Sequence, residues 1–439
     1  MSGPLKSYRF AVRCGSALDP KGKEGLACLT ATLMVEGGTT TRSYKQILDE
    51  FFEMATGLEV QVDQELTVFH GTVHRDHAAR YEAIVKEMMG TPGFAEEDFE
   101  RVREDLLNYL KVGLRGSNDE EMAKEVLYQE LYAGHPYGHP CSGTVKGLEA
   151  IEIGDVREFY ARYFTELSLD ALPAPLLPVP RQPRGIEAVL IEKADARGVA
   201  MSFGYHIPVR RGHPDYLALL VAQSWLGQHR SGGRLYDRIR EVRGLNYGDY
   251  AYIEYFPRGM HQFEPDPNLA RQQQIFQVWL RPVEPGKALF AFRLALYEIE
   301  KLRREGLSAE EFERTRKFLA KYVKLLLKTE SLVAGYALDS VFYGTPEYTS
   351  YIAEGLAGLT LVEVNAVIGK YLQVEDLSFV AVGPGMAEFA RVLERGEATH
   401  IVYETAQAAE VLEEDREVAS FPLRVGTVRV MPFERAFED

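Results

Sequence analysis

The order of apolar and polar residues predicts the same succession of elements twice along the chain. Apolar residues recur in alternation over residues 66–74 and again over residues 275–282, the spacing of strands with one buried face. After the second strand, residues 288–302 place apolar side chains every three or four positions, as an amphipathic helix does. Strands and helices are therefore mixed in both stretches, which predicts an α+β architecture.

A direct sequence repeat supports this division. Residues 93–103, GFAEEDFERVR, recur as residues 306–316, GLSAEEFERTR. Both copies place acidic residues in the first turn of a predicted helix and basic residues later, an order that suits the helix dipole. A weaker match connects residues 42–47 with residues 234–239. We interpret the chain as two homologous repeats.

Prolines separate the two repeats. Residues 171–185 contain Pro173, Pro175, Pro178, Pro180 and Pro183, and a segment so rich in proline favours an extended linker over a helix or a central strand. The predicted domains are therefore residues 1–170, a linker over residues 171–185, and residues 186–439.

The two repeats end differently. The second continues with a predicted strand over residues 376–383 and a predicted helix over residues 386–395. The first passes directly into the prolines after residue 170. We expect the first domain to lack its closing strand and helix, and to leave an open sheet edge there.

Composition narrows the class of protein. The chain has 439 residues, of which 46% are apolar and 26% charged, values typical of a globular protein of more than one domain. A net charge of −15 argues against a nucleic-acid partner. Three cysteines with no regular spacing do not predict a disulfide framework.

The sequence also bears on membranes and location. No apolar run reaches the roughly 20 residues of a membrane span. Residues 1–9 contain no apolar core of a signal peptide. We expect a cytoplasmic chain by default, or a periplasmic one if a leader has been trimmed.

One segment has the frame of a zinc-binding helix without the ligands. Residues 24–27, Glu-Gly-Leu-Ala, precede an apolar stretch that ends at residues 36–39, Glu-Gly-Gly-Thr. This frame resembles the zinc-site helix of the insulinase/pitrilysin metallopeptidases (inverzincins), in which H-x-x-E-H follows the Gly-Leu-Ala. There, two histidines bind zinc and the glutamate activates a water molecule. The corresponding residues here are Cys28, Ala31 and Thr32.

The position of the third family ligand has changed as well. The resemblance aligns residues 99–109 with the later helix that carries this glutamate, and the ligand position is Tyr109. A single thiol at Cys28 cannot build a tetrahedral zinc site. We therefore expect no metal at these degenerate positions and no cofactor in this chain.

A different family motif is present in the second repeat. Residues 232–236, GGRLY, followed by residues 240–247, REVRGLNY, resemble the loop and helix that carry the family's arginine–tyrosine pair. By spacing, the pair is Arg240 and Tyr247. The resemblance implies that both contact the substrate carbonyl and the transition state, and a guanidinium and a phenol are suitable donors to a developing oxyanion. Without the resemblance, a surface charge and a packed aromatic ring would explain them.

Other candidate residues favour structural interpretations. His70 and His74 share a strand face, but no carboxylate cluster accompanies them, so a metal site there is not favoured. His135 and His139 lie among glycines and prolines, which indicates a structural role in a loop. Cys28 is better interpreted as a small buried apolar residue than as a nucleophile.

Members of this family often act as pairs of homologous chains, of which one carries H-x-x-E-H and the other does not. The resemblance implies two similar domains, each a mainly antiparallel sheet covered by helices, that face each other as a clam-shell. Our leading hypothesis is a non-catalytic subunit of a heterodimeric zinc endopeptidase, in which zinc belongs to the partner and the substrate is a peptide. The alternatives are a structural or peptide-binding scaffold with no proteolytic partner, including a self-dimer, and an active peptidase with rearranged ligands.

Overall fold

A computed structural model describes residues 3–166, 168–169, 173–228, 232–257 and 265–439. The predicted boundary at residues 170 and 171 lies outside these described residues. The strands are β1 (Leu5–Val12), β2 (Glu59–Val62), β3 (Thr67–His74), β4 (Ile186–Glu192), β5 (Val199–Ile207), β6 (Asp249–Tyr252), β7 (Gln274–Val283), β8 (Leu377–Gly383) and β9 (Val425–Pro432).

The α-helices surround these strands. In the first half of the chain they are α1 (Leu26–Glu36), α2 (Tyr44–Glu53), α3 (Ala78–Gly90), α4 (Glu96–Asn108), α5 (Arg115–Ser117), α6 (Asp119–Leu131), α7 (Val145–Ala150) and α8 (Ile153–Tyr163). In the second half they are α9 (Tyr216–Gln223), α10 (Ala288–Glu305), α11 (Ala309–Tyr322), α12 (Glu330–Tyr343), α13 (Tyr348–Gly358), α14 (Leu361–Tyr371), α15 (Met386–Arg395) and α16 (Ala409–Ala419). The mixture of sheets and helices confirms the predicted α+β class.

The two sheets share an arrangement of three strands. The first sheet has the antiparallel order β1-β3-β2. The second has the order β6-β7-β5-β8-β4-β9, in which β4 runs parallel to β8 and β9 and the other neighbours are antiparallel. Strands β5, β7 and β6 therefore repeat the arrangement of β1, β3 and β2, and the second sheet continues for three further strands beyond β5.

Each half of the chain also covers the sheet of the other half. Helix α6 from the first half packs against β5 and β8. Helix α12 from the second half packs against β1. As a result, Val380 and Val382 of β8 belong to the same hydrophobic core as the helices of the first half. The two halves are joined through this reciprocal packing.

A buried ion pair connects the halves at the turn after β2. The Arg271 guanidinium donates two hydrogen bonds to the Asp63 carboxylate, at 2.8 and 2.5 Å, and both side chains are almost fully buried. The same guanidinium lies 3.7 Å from the centroid of the Tyr255 ring. A paired and stacked arginine of this kind fixes the orientation of the groups around it.

The proline-rich linker runs as an extended segment over its described part. The backbone carbonyl of Pro178 accepts hydrogen bonds from the side chains of Gln273 and His135, and that of Pro175 accepts one from Gln272. The linker therefore lies against both halves.

The lengths of the apolar helices bear on whether the chain could cross a membrane. In the described ranges, no single helix is both long and apolar enough to cross a bilayer. Helices α13 and α14 reach the required length and composition only as a pair, and they meet at a bend of 106°.

Candidate functional site

The helix that corresponds to the family's zinc helix begins at a tightly built turn. The Asp19 carboxylate accepts hydrogen bonds from the backbone N–H groups of Gly25 and Ala27, both at 2.7 Å. Gly25 has φ = +110°, and a side chain there would collide with Leu148, so glycine is required. Burial raises the pKa of Asp19 to about 6. The frame that the sequence suggested is therefore a structural device that fixes the start of α1.

The three motif positions on α1 are buried to different extents. Ala31 is fully buried. Cys28 is partly buried, and burial raises the pKa of its thiol to about 12, so the thiolate that would bind a metal is scarce at neutral pH. Thr32 offers only a hydroxyl group, which forms a hydrogen bond with the Cys28 thiol. These three groups do not fit a zinc ion.

Tyr109, at the position of the third ligand, begins a wide-turn helical segment (Tyr109–Leu114) directly after α4. Its ring lies against Gly113, and a Cβ on that glycine would lie 3.2 Å from the ring. A phenol packed in this way does not replace a carboxylate ligand. No group of three or more histidine, cysteine or acidic side chains in the described ranges is arranged to bind a metal ion.

A groove opens beside the degenerate helix. It has a volume of about 690 Å³ and lies between α1, α2 and β2, with Thr32, Leu48, Phe52 and Val60 among its lining residues. Phe52 is 88% exposed in this groove. Strand β2 forms one edge of the first sheet, so its outer backbone groups face the groove side without a neighbouring strand in the described part of the chain.

The predicted pair in the second half lies side by side at the surface. Arg240 is in a wide-turn segment (Tyr236–Glu241), and its guanidinium carbon lies 5.1 Å from the centroid of the Tyr247 ring. The guanidinium also contacts the Tyr236 hydroxyl and forms an ion pair with Glu241. Tyr247 is 71% exposed, and within the described residues its hydroxyl has no hydrogen-bond partner. The structure thus brings together the two residues that spacing selected.

A buried arginine close in sequence holds this loop in place. The side chain of Arg243 is fully buried and pairs with Glu414 at 2.6 Å and with Asp415 at 2.8 Å. Gly244 then turns the chain with φ = +64° towards Tyr247. A buried anchoring residue close to an exposed side chain is the arrangement that a preorganised contact residue needs.

Sequence reasoning missed two residues that border the pair. The guanidinium of Arg281 on β7 lies 5.9 Å from the centroid of the Tyr247 ring. Arg281 is paired at 3.1 Å with Glu120, which the other half supplies on α6. Burial raises the pKa of Glu120, although the hydrogen bond from Arg281 opposes the shift. The Arg–Tyr pair therefore lies beside the junction of the two halves, and no local pattern in the sequence signals the contact.

His135 is buried, and His70 is partly buried. His135 accepts a hydrogen bond from the backbone N–H of Tyr137, and its other ring nitrogen contacts the Pro178 carbonyl, so it is a structural residue of the loop. His70 is partly buried on β3, and burial together with nearby Arg9 lowers its pKa. Neither histidine belongs to a group that could hold a metal.

The α1 region and the Arg240 region differ in the chemical groups that they present. The α1 region presents a groove lined by both polar and apolar side chains. The Arg240 region presents two guanidinium groups and a phenol that can donate hydrogen bonds to a carbonyl or carboxylate oxygen. These groups can bind and polarise a carbonyl group, whereas the described residues do not supply the ligands of a water-activating metal.

Comparisons with known proteins agree with this geometry. The insulinase family (peptidase family M16) matches residues 6–145, and the peptidase M16 inactive domain matches residues 150–319. A protein named non-peptidase homolog YmxG from Helicobacter pylori is 23% identical over 413 residues, which cover 86% of this chain and 89% of the relative. The uncharacterized zinc protease YmxG of Bacillus subtilis is 20% identical over 370 residues, with coverage of 79% and 85%.

A solved structure shows the same fold. The peptidase M16 inactive domain from Pseudomonas fluorescens superposes with a TM-score of 0.72 at 20% identity, over 87% of this chain and 93% of that one. The two matched family regions together span both sheets except for the last strands. The resemblance drawn from the sequence is confirmed, and the chain belongs to the insulinase family of peptidases, M16.

Proposed function

We propose that this chain is a non-catalytic subunit of a heterodimeric zinc endopeptidase. It supplies a wall of the reaction chamber, a peptide-binding surface, and the Arg240–Tyr247 pair to the active site of a homologous partner that carries H-x-x-E-H. Zinc belongs to that partner. We retain the two domains at residues 1–170 and 186–439 as part of this proposal, and we attribute their similarity to an internal duplication.

The observation that carries the proposal is the contrast between loss and retention. All the residue types that would bind zinc or activate water have been replaced at Cys28, Ala31, Thr32 and Tyr109. The Tyr247 phenol stays exposed above a buried anchor, although burial would stabilise an aromatic ring that served only packing. Relatives named as a non-peptidase homolog and as an inactive domain support the non-catalytic part of the proposal.

The groove beside β2 supports the peptide-binding part. An open edge strand can pair with an extended peptide through backbone hydrogen bonds, and apolar side chains in the adjoining groove add affinity. Phe52, being 88% exposed, is positioned to contact such a peptide. This surface belongs to the present chain and needs no metal.

The decisive experiment reconstitutes the pair. The chain is co-expressed with a homologue that contains H-x-x-E-H, and cleavage of an unstructured peptide is measured for the parent and for Tyr247→Phe. Loss of one donor to an oxyanion typically lowers turnover about 10²–10³-fold, so we expect a fall in kcat of that size. Size-exclusion chromatography should show the same assembly for both.

Tyr109→Phe is the matched control, because it removes a phenolic hydroxyl from the degenerate ligand position instead. We expect its turnover to equal that of the parent. Undiminished turnover in Tyr247→Phe, with an active pair, would favour the scaffold function. Metal analysis of the chain alone should find no stoichiometric zinc, and one zinc per chain with chelator-sensitive cleavage would contradict the proposal.

A further inference from the structure

Arg281 connects the two halves of the chain beside the Arg240–Tyr247 pair. Its guanidinium donates two hydrogen bonds to the Glu120 carboxylate, at 3.1 and 3.2 Å. Glu120 lies on α6 of the first half and is 5% exposed, whereas Arg281 lies on β7 of the second half. Two hydrogen bonds between a guanidinium and a carboxylate fix the direction of both side chains. The position of the Arg281 guanidinium is therefore set by the other half of the chain.

The strand that carries Arg281 is irregular at this point. Strand β7 places two residues, Arg281 and Pro282, where its neighbour β5 places only Ala200. An extra residue of this kind is a β-bulge, which bends the strand and redirects the side chains beside it. The bulge thus occurs at the residue whose side chain reaches α6, and such bulges are common next to functional sites.

The main chain of Arg281 holds the residues on both sides of Tyr247. The side-chain amide of Asn246 donates a hydrogen bond to the Arg281 carbonyl at 3.1 Å. The Arg281 N–H donates to the Gly248 carbonyl at 3.2 Å. The Gly248 N–H in turn donates to the Asn246 side-chain oxygen at 3.2 Å. Tyr247 therefore lies between two residues that are both bonded to Arg281.

Two guanidinium groups lie close to the Tyr247 ring. The guanidinium carbon of Arg240 is 5.1 Å from the ring centroid, and that of Arg281 is 5.9 Å from it. Because the ring is 71% exposed, little packing holds it, and attraction to these cations restricts where it lies. Arg240 pairs with Glu241, its neighbour in the sequence. Arg281 is instead held by Glu120, from outside this stretch of the chain.

We propose that Arg281 is a positioning residue for Tyr247, and that Glu120 of the first half holds Arg281 in this role. The orientation of the exposed phenol then depends on how α6 packs on the second sheet. This inference rests on the proposed function, because the orientation matters for turnover only if Tyr247 contacts the substrate. It gives the first half a role in the geometry of a site that the second half carries.

An ion pair that only joined the two halves would have a different effect. Arg429 of β9 pairs with Glu130 of α6 at 2.5 Å, and so connects the same helix to the same sheet. Strand β9 is the edge strand at the far end of this sheet from β6. Arg429→Gln is therefore the matched control, because it breaks a connection between the halves away from Tyr247.

The first test measures kcat and KM for the chain reconstituted with a homologue that contains H-x-x-E-H. We expect Arg281→Gln to lower kcat about 10–100-fold and to change KM by less than about twofold, since misplacing a reacting group by about 1 Å can cost about 10²-fold. Glu120→Gln should lower kcat by a smaller factor, because its amide oxygen still accepts a hydrogen bond. Arg429→Gln should match the parent.

A double-mutant cycle separates positioning from a general loss of stability. If Arg281 acts through Tyr247, adding Arg281→Gln to Tyr247→Phe should lower kcat by less than about twofold more. A structural effect would lower kcat by the same factor in both backgrounds. The double variant Glu120→Gln/Arg281→Gln leaves neither position charged, so it should fold even if Arg281→Gln does not. Its kcat should be as low as that of Arg281→Gln.

The last test uses the chain alone and needs no peptidase partner. Tyrosines are replaced by 3-fluorotyrosine, and the fluorine resonance of residue 247 is identified by its absence from Tyr247→Phe. We expect Arg281→Gln and Glu120→Gln to shift this resonance, because the surroundings of the ring change, and Arg429→Gln to leave it in place. An inactive pair, or undiminished turnover in Tyr247→Phe, would contradict the proposed function, and the resonance would then decide the positioning role by itself.

Four outcomes would overturn the inference. They are equal kcat for the parent and Arg281→Gln in an active pair, an equal loss of kcat in Arg281→Gln and Arg429→Gln, and a Tyr247 resonance that Arg281→Gln does not shift. The fourth is a full additional loss of kcat when Arg281→Gln is added to Tyr247→Phe, which would make Arg281 a purely structural residue.

Discussion

The first half and the second half of the chain share an order of strands and helices but differ at the positions where the family resemblance places site residues. In the first half, the position of the water-activating glutamate is filled by Ala31, which is fully buried, and one ligand position is filled by Cys28, whose pKa burial raises to about 12. In the second half, Tyr247 remains 71% exposed beside Arg240. Once the metal ligands are lost, the surrounding side chains can pack as a core, whereas the Arg–Tyr pair has not been absorbed in this way.

The two regions differ in how far packing accounts for the exposure of their side chains. At the degenerate helix, packing accounts for Ala31, which is fully buried. Packing does not explain an exposed tyrosine held over a fully buried Arg243 that carries two ion pairs. Breaking the ion pair between the halves, and then changing single residues in each region, would test this difference.

The largest effect is expected when the buried ion pair that connects the two halves is broken. Arg271→Ala leaves the Asp63 carboxylate buried without its partner, and loss of one member of a buried pair typically costs about 3–5 kcal/mol. Chemical denaturation should show a fall in the free energy of unfolding of that size. Arg303→Ala is the control, because Arg303 forms an exposed pair with Glu300 and should change stability by about 0.5 kcal/mol or less. Equal effects of the two substitutions would contradict a buried tie.

Sequence predicted the elements better than their contacts. The sequence predicts a strand at residues 376–383 and a helix at residues 386–395, because one is mostly apolar and the other has a helical period, and the structure has β8 at Leu377–Gly383 and α15 at Met386–Arg395. The exchange of α6 and α12 between the halves was not predicted. An amphipathic pattern shows that a helix face is buried, but it does not show which sheet covers that face.

The candidate site was predictable to a similar extent. Arg240 and Tyr247 were found because a local motif carries them. Arg281 and Glu120, which meet at 3.1 Å, are far apart in the sequence and have no motif. The wide-turn segment Tyr236–Glu241 was also missed, because its sequence has an ordinary helical pattern and the contacts of Arg243 that hold the chain after it lie far along the sequence.

A second prediction returns one catalytic residue type to the degenerate helix. Ala31→Glu places a carboxylate where the alanine side chain is fully buried in the hydrophobic core. Overpacking and burial of the charge should together cost about 3–4 kcal/mol. Thr32→Glu, one residue later and lining the groove, should cost clearly less in the same denaturation assay. If Ala31→Glu were tolerated equally well, the position would not have been absorbed into the core.

The third prediction concerns pH at the junction of the halves. Burial raises the pKa of Glu125 to about 7, although the Tyr255 hydroxyl donates a hydrogen bond to it at 2.7 Å. The folded state therefore binds a proton that the unfolded state releases above about pH 4.3. Stability from this group rises as the pH falls from about 7 towards 4.3, and the ionised carboxylate lowers stability by up to about 3 kcal/mol above pH 7.

Glu125→Gln keeps an acceptor for Tyr255 and removes the titration. Denaturation between pH 5 and pH 8 should show a flatter dependence for this variant and higher stability than the parent at pH 8. Glu104→Gln, on the exposed side of α4, should follow the parent at every pH. A parent whose stability does not change over this range would contradict the raised pKa.

The smallest effect on stability is expected at the residue with the largest expected effect on turnover. In the structure, the Tyr247 hydroxyl makes no hydrogen bond within the described residues, and the ring is mostly exposed. Tyr247→Phe should therefore change the free energy of unfolding of the isolated chain by less than about 0.5 kcal/mol. Tyr81→Phe gives the contrast, because the buried Tyr81 hydroxyl donates to the Gly57 carbonyl at 3.1 Å, and its loss should cost about 1 kcal/mol. If Tyr247→Phe destabilised the chain as much as Tyr81→Phe does, the Tyr247 hydroxyl would contribute to the stability of the folded chain, as a packed residue does.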